Sequence, residues 1–291
     1  MPNYQTNDDI AVVIPTHNRV EELLECLESI YQQENVQLQV FIINDGSKDC
    51  TTERVRQAYP QTQIIEGDGN LWWTGAINVG IKAALEQGFK YILLLNDDNV
   101  LASGAVNNLL NYAQNTEQTI VGSLVLIKGT NIIGYAGAGI NWFKGGPFLK
   151  DYRNEYKGQY QQMIDADFLG GQGVLIASSI FKKIGMFDSI SFPHYHGDAD
   201  FYLRAKAAGI KIVVHPQSIV WDSENPNSFP RYGFRKGFKK LIEAYISRRS
   251  PTNIVETTRF FWRHCPLWLL PVALPRRFLG FLKGYLHAQF S

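Results

Sequence analysis

The sequence predicts an α/β protein: a Rossmann-like, mainly parallel central sheet flanked by helices, with a basic, aromatic, helical C-terminal extension. Three observations carry this expectation. The first hundred residues alternate between short apolar runs and stretches of helical spacing. Short polar segments follow the apolar runs, where the carboxyl ends of parallel strands would lie. The charge then changes sign: residues 1–225 carry 16 Lys/Arg against 25 Asp/Glu, whereas residues 226–291 carry 12 against 2.

"IAVVI" (10–14) reads as a buried strand, and Val20, Leu23, Leu24, Leu27 and Ile30 follow at helical spacing, with Asn18 and Glu21 placed as a capping box. "QVFII" (39–43) and a helix ending near Pro60 form a second unit. "QII" (63–65) and a helix over 75–87, closed by Gly88, form a third, and "YILLL" (91–95) is the fourth strand. Single helices between strands imply right-handed crossovers and a parallel sheet. From 122 to 177 the pattern weakens: "GSLVLI" and "GVLIAS" read as strands, and "GYAGAGINWFKGGP" as an irregular or hairpin segment. "GDADFYLRAKAAG" (197–209) predicts a helix with Phe201, Leu203, Ala205 and Ala208 partly buried and Gly209 as its stop; "IKIVV" and "SIVW" follow as two strands.

With 291 residues and 45% hydrophobic content, the chain is long and apolar enough for one large core or two modest ones, which excludes a disordered protein. Cys26, Cys50 and Cys265 are odd in number and widely spaced, against a disulfide framework or a zinc site and in favour of a reducing cytosol. The first residues lack the basic region and apolar core of a secretory signal.

The polar segments "PTHNR" (15–19), "NDGSKD" (44–49) and "NDDN" (96–99) are expected to converge on one crevice. Adjacent Asp97 and Asp98 supply the hard oxygens that a divalent cation takes, or else cap the helix that follows. Asp45 suits either a base or ribose contact or a plain turn. Asp198 and Asp200 open a helix, where the dipole favours carboxylates, and a carboxylate there is also placed to act as general base on a hydroxyl. Asp222, after "SIVW", is a metal ligand or a loop acid, and His215 before Pro216 reads as structural. Trp72 and Trp73 either stack on a ligand or fill the core, and the glycines of "LGGQG" (169–173) let backbone approach a ligand.

Taken in order, "VVIPTHNR", "IINDGSKD", "GNLWWTGAINVGI", "LLLNDDNV", "GGQGVLIASSIFKKIGMFD" and "GDADFYLRAKAAG" resemble family 2 glycosyltransferases of the GT-A fold, over approximately residues 10–225. The pattern is nearest to bacterial enzymes of surface-polysaccharide assembly, rhamnosyltransferase-like members included. The resemblance implies transfer of a sugar from a nucleoside-diphosphate donor, with inversion and with Mn²⁺ or Mg²⁺. It makes Asp98 the metal ligand, puts Asn96 and Asp97 beside ribose and diphosphate, and puts Thr16 and Asp45 at the nucleoside. With the neighbouring motif residues, the donor set is Pro15, Thr16, Asn18, Arg19, Asp45, Asn70, Trp73, Asn78, Asn96, Asp97 and Gly171. Asp198 falls at the usual base position, with Asp200 close behind. Three departures matter: Asn96 replaces the usual first acid, so that metal binding rests on Asp98 and Asp222; Gly197 stands where relatives often carry Glu; and Asp222 stands near a frequent histidine ligand.

This divides the chain into a catalytic domain over 1–225, with a nucleotide-sugar half (1–100) and an acceptor half (101–225), and a basic helical tail over 226–291. In the tail, the apolar run 265–274 is ten residues long and contains Pro266 and Pro271, too short for a bilayer that needs about 20. Arginine and lysine around Trp262, Trp268 and Phe278 suit an anionic membrane surface, which predicts peripheral attachment to the inner face of the cell membrane, near a glycan or polyprenyl-linked glycan acceptor. A cap on the core or a homo-oligomer contact is the other use of such a tail, and the acidic body argues against nucleic acid. Two rival functions are a sugar-1-phosphate nucleotidyltransferase, whose glycine-rich basic signature "PTHNRVEE" lacks, and a non-catalytic nucleotide-sugar-binding scaffold, against which Asp198 and Asp200 speak.

Overall fold

The computed structural model describes residues 10–116, 118–223 and 237–290. In chain order these form β1 (Ile10–Thr16), α1 (Val20–Tyr31), β2 (Leu38–Asn44), α2 (Thr51–Ala58), β3 (Gln63–Glu66), α3 (Trp72–Glu86), β4 (Tyr91–Leu94), β5 (Asn99–Leu101), α4 (Ala105–Gln114) and β6 (Thr119–Ile127). There follow β7 (Ile133–Tyr135), β8 (Ala138–Asn141), β9 (Gly146–Leu149), β10 (Ile164–Asp165), β11 (Val174–Ala177), α5 (Ser178–Ile184), α6 (Gly197–Ala207), β12 (Lys211–Asp222), α7 (Phe238–Ile246), α8 (Ile254–His264) and α9 (Leu270–Phe290).

The central sheet runs β10-β12-β6-β11-β4-β1-β2-β3, with β5 on β12 and β7 on β6. Strands β1 to β4 pair in parallel, as do β12 and β6, while β11 runs antiparallel between β4 and β6. The strand period of two decides the packing. Along β1, Ile10, Val12 and Ile14 face the core with α1 and α4, and Ala11 and Val13 face the core with α3. Gly80 lets α3 come close on that second side: a Cβ there would overlap the side chains of Val13 and Ile43.

Three local expectations are corrected. Asn18 and Glu21 form no capping box, because Asn18 lies at φ 53° and its Oδ1 accepts from Lys48 N. The Val20 amide instead donates to Asp49 Oδ2 at 3.0 Å, a cap supplied by the next loop. Helix α3 starts at Trp72 rather than residue 75, since Asp45 caps it from a distance, accepting from Leu71 N at 3.0 Å and Trp72 N at 3.1 Å. "IKIVV" and "SIVW" are one strand, β12, whose register shifts between His215 and Ile219 where Pro216 has no amide to donate. The glycine-rich segment is a hairpin, β8 to β9, turning at residues 142–144.

The C-terminal helices are packed on the body. Phe260, Phe261, Cys265, Leu269 and Ala273 belong to the same buried cluster as α3 and α6. No helix among the described residues is long and apolar enough to cross a membrane.

Candidate active site

The carboxyl ends of β4 and β12 carry the acids, beside the end of β1. Thr16 closes β1 and donates from Oγ1 to Asp97 Oδ2 at 2.9 Å. Arg19 spans the pair, with NH1 3.0 Å from both Asp97 Oδ1 and Asp98 Oδ2. Burial pushes Asp97 up to about 7 despite Arg19. Asn99, outside the residues singled out from the sequence, organises this turn: its Oδ1 accepts from Asn96 N at 3.1 Å and its Nδ2 donates to Asp222 Oδ1 at 2.8 Å. The pairing of β5 with β12 puts Asn99 opposite Asp222, which brings residues distant in sequence together. Asp222 is pushed up to about 7 by burial and then by the charge of Asp98, while Gln172 and Asn99 hydrogen-bond its carboxyl. The second Asn of "NDDN" was the available signal for Asn99; Gln172 left none beyond its place in the glycine run.

Asp98 and Asp222 are thus two hard carboxylates held close enough to repel. No cluster of three or more His, Cys, Asp or Glu side chains that would hold a metal is present among the described residues. Two protein carboxylates with the remaining positions left to phosphate and water is the usual donor set for Mg²⁺ or Mn²⁺ with a nucleotide, and these residues fit it.

The neighbouring loops complete the crevice. Trp73 Nε1 donates to Asn96 Oδ1 at 2.9 Å, and Gly171 lies against the same indole, where a Cβ would overlap its ring. His17 donates from Nδ1 to Asp45 O at 2.7 Å, which ties the β1 loop to the β2 loop. Asp45 accepts from Gly69, Leu71 and Trp72, and Pro15 lies half-buried opposite Ile43 of β2. Three of the expected donor residues are used otherwise. Asn78 spends its amide on Phe187, donating to its O at 2.8 Å and accepting from its N at 3.1 Å. Asn18 is exposed and holds Lys48 and Ser47, and exposed Asn70 turns back on Asp68.

Asp198 and Asp200 share the first turn of α6, whose N-cap His196 has φ 65°. Asp198 is half-buried, accepts from Ala199 N at 2.7 Å and is pushed up to about 6 by burial. Tyr135 and Tyr202 lie near enough to feel its charge, and both meet Gly170, Tyr135 Oη accepting from its N at 2.9 Å. Asp200 is 0% exposed and accepts from Arg204 Nε (2.9 Å), Arg263 NH1 (2.8 Å) and His264 Nε2 (2.9 Å). Burial alone would raise it, yet these hydrogen bonds prevail and hold it at about 2. The expectation that Asp200 shares the base role is therefore corrected: its oxygens are saturated, and it anchors α8 to α6.

A mainly parallel sheet flanked by helices, with three acids beyond its strand ends, is the architecture of a GT-A glycosyltransferase. Residues 11–185 match the family described as Glycosyl transferase family 2, and the chain belongs to it. It is similar to an uncharacterized glycosyltransferase of Rickettsia typhi (23% identical; 75% of this chain, 66% of the relative) and to the uncharacterized glycosyltransferase YwdF of Bacillus subtilis (26%; 67% of each). The chain thus spans about two thirds of the length of these relatives. It is also similar to a GalNAc(5)-diNAcBac-PP-undecaprenol beta-1,3-glucosyltransferase of Campylobacter jejuni (26%; 42% of this chain, 40% of the relative). The solved structure of GalNAc-T7 with UDP, GalNAc and Mn²⁺ shares the fold, with a TM-score of 0.61 at 14% identity over 96% of this chain and 57% of that one.

Proposed function

We propose that the protein is a metal-dependent inverting glycosyltransferase that moves a hexosyl or deoxyhexosyl group from a UDP- or dTDP-sugar to a hydroxyl of a glycan or lipid-linked glycan in cell-surface polysaccharide synthesis. The observation that supports it best is that Tyr135 lies within electrostatic reach of both Asp222, which shares the strand-end turn with Asp98, and the half-buried Asp198, raised to about 6. Asp98 and Asp222 would hold a divalent cation, which would supply positive charge against the departing diphosphate. Thr16 and Arg19 fix Asp97 and Asp98, and the Trp73 to Asn96 hydrogen bond fixes the start of that turn. Asp198 takes the proton from the acceptor hydroxyl; the oxygen forms its bond to the anomeric carbon as the bond to the diphosphate breaks. The lipid-linked relative and the basic, aromatic tail favour an acceptor at a membrane surface.

The test is nucleoside-diphosphate release from a panel of UDP-, dTDP- and GDP-sugars with Mn²⁺, Mg²⁺ or EDTA. Slow hydrolysis of one donor, lost in EDTA and in Asp98→Ala, is expected. Full activity in Asp98→Ala would sink the assignment of that residue, and binding without turnover on any acceptor would favour the scaffold reading.

A further inference from the structure

Arg19 uses a single nitrogen to hold both acids of the "NDDN" turn. Its Nη1 lies 3.0 Å from Asp97 Oδ1 and 3.0 Å from Asp98 Oδ2, and both carboxylates are buried. Thr16 holds Asp97 from another side. Asp98 Oδ1 instead lies 3.5 Å from Asn99 Nδ2, the same nitrogen that donates to Asp222 Oδ1 at 2.8 Å. Asp98 thus turns one oxygen toward the nitrogen it shares with Asp222 and gives the other to a guanidinium. Arg19 has room to leave it. The residue is the N-cap of α1, with φ −147° and ψ 48°, and its side chain is 25% exposed. Its Nη2 makes no hydrogen bond among the described residues, and its Nε is 3.9 Å from Glu22 Oε1, a second carboxylate beside which the guanidinium can rest.

Asp98 is therefore claimed twice, by Arg19 and by the cation that Asp98 and Asp222 would hold. A guanidinium against one carboxylate oxygen lowers the negative potential that the carboxylate offers a cation, and in a buried turn water and salt screen this little. A diphosphate changes the balance. It carries charge that a planar fork of N–H donors matches in pairs, and so offers Arg19 more than one nitrogen divided between two acids can gain. With Arg19 drawn away, the full charge of Asp98 serves the metal.

We propose that Arg19 competes with the divalent cation for Asp98 and yields it when a nucleoside diphosphate takes over the guanidinium, so that metal enters together with the diphosphate rather than ahead of it. The hand-over to diphosphate rests on the transferase reading, whereas the competition at Asp98 does not. By linkage the coupling appears from either side: diphosphate tightens metal binding, and metal tightens diphosphate binding by the same factor. Part of that factor belongs to any metal and diphosphate that touch. The part due to Arg19 is the part lost when the guanidinium is removed.

Mn²⁺ binding to the full-length protein is read from the EPR signal of the free ion, at pH 8, for wild type, Arg19→Met and Arg19→Gln; the last keeps an amide donor for the two acids should Arg19→Met fail to fold. Without nucleotide, both variants are expected to bind Mn²⁺ about tenfold or more tighter than the wild type. Equal or weaker binding overturns the competition. UDP, dTDP or GDP, whichever binds the wild type most tightly, is then added. It should tighten Mn²⁺ binding by a smaller factor in the variants than in the wild type, and should itself bind the variants more weakly. An equal factor in all three proteins overturns the hand-over to diphosphate. Thermal shift supplies a second readout: the variants should melt below the wild type, because two buried acids have lost a partner, and Mn²⁺ alone should raise their Tm by more. A Tm rise no larger than that of the wild type also counts against the competition. Absence of nucleotide binding would overturn the transferase reading and the hand-over together, while Mn²⁺ binding without nucleotide still decides whether Arg19 competes for Asp98.

Discussion

Asp198 and Asp200 lie two positions apart in the first turn of α6, and their surroundings move them in opposite directions. Asp198 is raised to about 6 by burial, so the proton-accepting form is lost below that pH. The value of kcat/KM should fall as pH drops through about 6, and Asp198→Asn should lose roughly 10²- to 10⁴-fold in kcat with donor affinity unchanged. A pH-independent rate between 5 and 8 would remove Asp198 from the base role. Because its folded pKa lies above the ordinary carboxylate value of 3.8, ionising Asp198 costs stability, and Asp198→Asn should be the more stable protein at neutral pH. Asp200, held at about 2, has the opposite sign: its contribution is full above the ordinary carboxylate value of 3.8 and is lost as pH falls toward about 2. Asp200→Asn should destabilise by roughly 2–3 kcal/mol at neutral pH, below the figure for a fully enclosed pair because Arg204 and Arg263 are partly exposed. The gap in denaturant midpoint between wild type and this variant should close on acidification; a constant gap would contradict the linkage.

At the scale of elements, the "NDDN" turn depends on how α3 is started and held. Asp45 caps it from the β2 loop, Trp73 in its first turn reaches Asn96 beyond β4, and Gly171 leaves room for the indole. These contacts join segments whose sequence motifs were each legible, but the capping acids were not, since a cap supplied from another loop leaves no mark at the helix it serves. Gly171→Ala should displace Trp73 and loosen the "NDDN" turn, weakening donor binding about tenfold and destabilising by roughly 1–3 kcal/mol. Isothermal titration with nucleoside diphosphate measures the first, and unaltered affinity would show that Trp73 does not position this turn. The single long β12 likewise escaped a reading from local pattern, because Pro216 divides two runs that the sheet rejoins.

Across the whole molecule, the acidic body and basic tail are one packed unit rather than a body with a loose appendage, because Phe260 and Phe261 complete the core beside α6. Removing the tail would therefore uncover that core, and surface substitutions are the cleaner probe of membrane attachment. Phe143 on the β8 to β9 hairpin stacks edge-on against Trp268 at 5.9 Å and its O accepts from Arg276, and Trp262 and Leu267 are further exposed apolar side chains of the tail. The protein should float with anionic vesicles, weakly with neutral ones, and less in 1 M salt, where the screening length falls to about 3 Å. Trp262→Ser, Leu267→Ser and Trp268→Ser together should abolish flotation at unchanged Tm; undiminished flotation would exclude this face. The sequence by itself determined the parallel strands and the acids at their ends, because strand period and strand-end polarity are written along the chain. Only the tertiary structure decided which of the two α6 acids is raised by burial and which becomes an anchor. Asp222 reaches the "NDDN" turn through Asn99, and Asp200 is saturated by Arg263 and His264, partners that only the folded chain brings within hydrogen-bonding distance.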